Sequence, residues 1–161
     1  MDKIIDKIDK YNLFTNIVPG YLLLMFNIYY LKIENLNMGE QIIISYFIGQ
    51  TLSRLGSIIG QKILFKFTKE KGESYDKYII ASDKDTKIAT LMQERNMCRT
   101  FCVLFVICII EIILSKIINI NSIKSDIILI ILLFILLVIY AISFCKYNKY
   151  VLDRIQIQNK R

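Results

Sequence analysis

The chain has 161 residues, 55% of them hydrophobic, with a net charge of +7 and no histidine. A soluble domain this apolar would expose long greasy runs to water, and the lack of imidazole excludes the commonest general base, the commonest metal ligand and any histidine-dependent triad. The four cysteines, Cys98, Cys102, Cys108 and Cys145, have no second Cys/His cluster beside them, so no zinc or other cofactor is expected. They read as small packing residues in a reducing compartment.

Residues 1–12 carry Ile4, Ile5, Ile8 and Tyr11 at helical spacing with charges between them, the pattern of an amphipathic interfacial helix lying on a membrane surface. An apolar run follows from Leu13 to Leu31, with Pro19 and Gly20 placed to start or kink its helix. It lacks the small-residue cleavage site of a signal peptide and is expected to stay attached. Three further runs cover Ile42–Leu64, Thr100–Ile118 and Ile127–Phe144. Each of the four is long enough for about 30 Å of hydrocarbon. The expected fold is therefore all-α, a bundle of four transmembrane helices forming a single membrane domain over 1–161.

Between the second and third runs, residues 65–99 form a charged loop that is too short for a separate folded domain. Gly72 is expected to end the second helix there. Ser82 with Asp85 matches a capping box, from which KIATLMQERNMCRTF continues helically into the third span. The tail, residues 145–161, is basic. Seventeen of the 21 Lys and Arg lie in the N-terminal arm, the stretch from Lys62 to Arg99 and the tail, against three in the other two loops, with Arg54 remaining deep inside a span. Basic residues are retained on the cytoplasmic side, which orients the chain in the cytoplasmic (inner) membrane with both termini cytoplasmic.

Two patterns mark the second span. Ser45, Gly49, Ser53, Gly56 and Gly60 form a small-residue stripe suited to close helix approach, either within the chain or as a homo-oligomer seam. Beside it runs a polar stripe of Gln50, Arg54, Ser57 and Gln61. Arg54 lies ten residues from the cytoplasmic end of its helix and Glu111 twelve residues from Arg99, depths of about 15 and about 18 Å at the helical rise. The matched depth predicts a buried Arg54–Glu111 pair, acting as a register lock or lining a water-filled path.

The basic residues at the cytoplasmic ends, Lys66, Lys69, Lys71, Arg95, Arg99, Lys146 and Lys149, read as topology signals and attraction to anionic lipid. Tyr75 and Tyr78 come with no RNA-binding motif, and nucleic acid is not an expected partner. No P-loop, GxSxG, HExxH or paired carboxylates in a polar pocket occur, so enzymatic activity is not expected.

Three stretches, YNLFTNIVPG (Tyr11–Gly20), SRLGSIIG (Ser53–Gly60) and QERNMCRTF (Gln93–Phe101), together with the layout, are similar to small polytopic membrane proteins that accompany bacterial antiphage defence systems. The resemblance implies a membrane effector or anchor that disturbs the envelope when a cytoplasmic protein partner detects infection. The expected role is thus a non-enzymatic, oligomeric membrane effector. The alternative is a small channel or transporter subunit.

Overall fold

A computed structural model describes residues 13–30, 36–68, 75–118 and 123–159. The expected interfacial helix over 1–12, and Gly72 with the rest of 69–74, lie outside the described residues. All of the regular structure among the described residues is helical. A π turn, Leu13–Ile17, runs into α1, Val18–Tyr30. Then follow α2, Met38–Phe67, α3, Tyr75–Lys84, α4, Thr86–Ile118, and α5, Ile123–Asn159.

Three helices, α2, α4 and α5, are long and apolar enough to cross a membrane, as in an integral membrane protein. On α5 the residues Ile127, Ile128, Ile131, Leu132, Ile135 and Ile139 all remain exposed. In water this would be an aggregation surface, whereas in lipid it is the ordinary outer face of a spanning helix. The run Leu13–Leu31 corresponds to the π turn and α1, whose α-helical part has 13 residues.

Helix starts follow local capping chemistry. Asn37 and Glu40 form a reciprocal capping box at the head of α2, with both hydrogen bonds 3.0 Å long. The helix therefore begins at Met38 rather than Ile42. At its far end Thr68 is extended and donates to the Phe65 carbonyl. The expected start, at Ser82, of the helix that leads into the third span is corrected. Ser82 sits inside α3 and donates to the Ile79 carbonyl, while Asp85 accepts from the Lys87 backbone N–H and heads α4. The Asp85 carboxylate is the better N-terminal acceptor because it also meets the positive end of the helix dipole.

α4 and α5 run side by side as the main packing pair, and α1 packs on α2. The core between them joins Leu23, Leu52, Phe101, Leu104, Phe105 and Ile112. Outside the apolar stretches, the start of α4 and the end of α5 continue as helix and combine with α3. There Ala81, Ile88, Val151 and Ile155 make a small separate core. An Arg154–Asp85 ion pair at 2.6 Å closes its edge. At the opposite end of the bundle, Lys116 pairs with Asp126 across the α4–α5 connection.

Candidate functional site

The buried face of α2 carries Ser45, Gly49, Leu52 and Gly56 at helical spacing. A Cβ on Gly49 would come within 1.6 Å of the Asn16 carbonyl oxygen, and one on Gly20 within 1.8 Å of that of Ser45. The backbone of α2 therefore touches those of α1 and of the π turn before it, and only residues without a side chain allow it. Farther along, Gly56 and Gly60 make room for the aliphatic stem of Arg99 and for Val103 of α4. Ser53 is half-buried. The small-residue stripe is thus occupied by packing within the chain, against α1 at one end and α4 at the other.

Two arginines sit where the membrane-spanning part of the bundle meets the α3 end. Arg95 and Arg99 are only 8% and 7% exposed, so their reading as surface charges for lipid is corrected. Arg95 Nη1 donates to Asn148 Oδ1 at 3.0 Å, and its guanidinium lies 6.0 Å from the ring centroids of both Phe65 and Phe144. Arg99 Nη1 donates to Gln61 Oε1 at 2.7 Å. Planar delocalised charge tolerates this setting better than a lysine ammonium would, because it stacks on rings and is less strongly hydrated.

The polar stripe splits. Gln50, Arg54 and Ser57 are exposed on the outer face of α2, and Gln50 Nε2 donates to the Tyr46 hydroxyl at 2.7 Å. Gln61 instead turns inward to Arg99. A π turn at Gly56–Gly60 causes the split. Its wider turn accommodates an additional residue, so everything beyond it is rotated relative to a continuous α-helix. Leu64, not Ile63, accordingly becomes the buried residue of the last turns.

Arg54 and Glu111 are not brought together, and among the described residues no ion pair links them. The two side chains face different directions. Arg54 points away from the bundle, whereas the Glu111 face of α4 meets α1. There the Glu111 side chain neighbours Asn27, and one turn on, Ser115 Oγ lies 3.2 Å from the Tyr30 hydroxyl. Glu111 Oε2 is buried with no hydrogen-bond partner.

No family model, curated protein or solved structure matches the chain.

The arrangement therefore offers an inward polar layer (Arg95, Arg99, Gln61, Asn148), a small polar pocket on α1 and α4 (Asn27, Tyr30, Glu111, Ser115), and an outward stripe (Gln50, Arg54, Ser57). Among the described residues, no three His, Cys, Asp or Glu side chains converge in a way that could hold a metal ion. The sequence pattern alone did not single out Asn27, Tyr30 or Asn148. Asn27 and Tyr30 are the polar pair at i, i+3 inside an apolar run, and that spacing is the signal that could have found them.

Proposed function

We propose that this chain is the repeating subunit of a membrane oligomer in which the Gln50–Arg54–Ser57 faces of several copies enclose a polar path, making it a membrane-permeabilising effector. The observation that carries this reading is the exposure of Arg54 on a helix with the length and apolarity of a membrane span. Arg54 comes sixteen residues after Met38 and thirteen before Phe67, about 24 and about 20 Å from the two helix ends. With a hydrocarbon core of about 30 Å centred on this helix, Arg54 lies near the midplane, where neither surface is within easy reach of its side chain. A guanidinium facing hydrocarbon at that depth costs about 2.5–3.5 kcal/mol on insertion scales and more by other measures. Water or the polar faces of neighbouring copies remove that cost.

In this reading α1 makes the fourth crossing and both termini lie in the cytoplasm, as the distribution of Lys and Arg favours. The part built from α3 and the ends of α4 and α5 then faces the cytoplasm, where a protein partner acting in antiphage defence would engage it. The test is dye and potassium leakage from liposomes holding the purified chain, with native mass spectrometry of the same sample. The expected result is leakage with masses at multiples of the chain, and loss of leakage in Arg54→Leu, which removes the polar group while keeping α2 apolar. Tight liposomes with the parent chain, or unchanged leakage in Arg54→Leu, would overturn it.

A further inference from the structure

The outer surface of the bundle carries a groove of about 770 Å³ bounded by α2, α4 and α5, and its lining is wholly apolar. Its wall on α2 extends from Leu55 to Phe67 and its wall on α5 from Phe134 to Cys145, with Val106 among the α4 residues at its floor. These stretches rise about 18 and about 17 Å at 1.5 Å per residue. Half of a hydrocarbon core is about 15 Å, so the groove is as long as one leaflet is thick. Its volume falls within the roughly 300–1,000 Å³ of clefts that hold small molecules.

One end of the groove is marked by charge. Lys66 lies one helical turn beyond the lining residue Ile63 on α2, and Lys146 one turn beyond Ile142 on α5. Residues three or four apart share a helix face, so each wall runs from apolar side chains straight onto a lysine. Both lysines are exposed, and Lys146 is held over the Tyr150 ring with Nζ 5.7 Å from its centroid. At the other end of the groove, Arg54 adjoins Leu55 in sequence but is not part of the lining, and no charged residue lies within one turn of Phe134 on α5.

We propose that this groove is a binding site for one anionic glycerophospholipid, with an acyl chain lying between α2 and α5 and the headgroup phosphate between Lys66 and Lys146. A leaflet-long apolar channel ending at two cations matches an amphiphile with one long chain and a negative head. Small lining residues, among them Gly60 and Ala141, deepen the channel, and the two terminal cations select an anionic head over an uncharged apolar occupant. The site is separate from the Arg54 stripe and stands whether or not that stripe encloses a path.

The experiment is native mass spectrometry of the full chain released from micelles doped with equal phosphatidylglycerol and phosphatidylcholine. The expected result is one retained phospholipid per chain, with phosphatidylglycerol preferred up to about thirtyfold, as two surface cations at about 1 kcal/mol each would produce. The double variant Lys66→Gln/Lys146→Gln should bring the two lipids to near parity. Val138→Phe, a change at a half-exposed lining residue, should lose both lipids. Parity in the parent chain, or full retention in Val138→Phe, would overturn the proposal. A Val138→Phe variant that dissociates into monomers while keeping its lipid would also overturn it, by assigning the groove to a second copy. If Val138→Phe fails to fold, the lysine double variant decides alone.

Discussion

Arg95 on α4 and Asn148 on α5 meet through a 3.0 Å hydrogen bond with both side chains buried, where the two longest helices leave the apolar part of the bundle. Asn148→Ala removes the acceptor from a buried cation. The loss should cost about 1–3 kcal/mol, read as a lower thermal midpoint in detergent. Asn148→Asp should recover stability by pairing the charge. An Asn148→Ala chain as stable as the parent would mean that this bond contributes nothing.

The backbone contact between α1 and α2 sets a sharp contrast between two glycines. Gly49→Ala places a Cβ within 1.6 Å of a main-chain oxygen that cannot rotate away, so the helices must separate. A loss above about 3 kcal/mol is expected, at or beyond the upper range for overpacked cores. At Gly39 the nearest atom to an added Cβ is Asn37 Oδ1 at 3.4 Å, and Gly39→Ala should change stability by no more than about 1 kcal/mol. Parallel melting curves of the two variants check the contrast.

The Asp85–Arg154 pair gives the α3 end a defined response to acid. The Arg154 hydrogen bond holds the Asp85 carboxyl below its ordinary value of 3.8, and the Lys87 backbone N–H adds to this. A carboxyl that ionises more readily in the folded state stabilises fully above its unfolded value. That stabilisation is lost as pH falls through the depressed native value. The melting difference between parent and Asp85→Asn should therefore be constant at neutral pH and vanish in strong acid. A difference that grows on acidification would contradict the assignment.

Reporter insertions test the orientation. Fusions after Arg161 and near Gly72 should report cytoplasm, and insertions near Asn35 and Asn121 the opposite side. An external signal at Gly72 would remove the proposed arrangement of four crossings.

The apolar runs of α2, α4 and α5 were legible from sequence because lipid makes hydrophobicity a local property, independent of tertiary partners. Direction around the helix was not. The expected alignment of Gln61 with Arg54 rests on continuous α-geometry, and the π turn at Gly56–Gly60 breaks that continuity. Arg54 and Glu111 do not meet for a related reason: matching positions along two helices bring side chains together only if their faces are turned toward each other, and here the Glu111 face belongs to α1. Arg95 and Arg99 were read by charge alone, and the glycines and aromatic rings that accommodate them come from distant segments.

α4 and α5 are unbroken over 33 and 37 residues, rods of about 50 and about 55 Å, longer than the hydrocarbon they would cross. Neither has a joint where the apolar stretch ends. A push on α3, which rests on both rods near Ile88 and Val151, meets no linker there and is passed along the helices themselves. In the proposed membrane arrangement, a load on that end would reach the α4 and α5 walls of the groove.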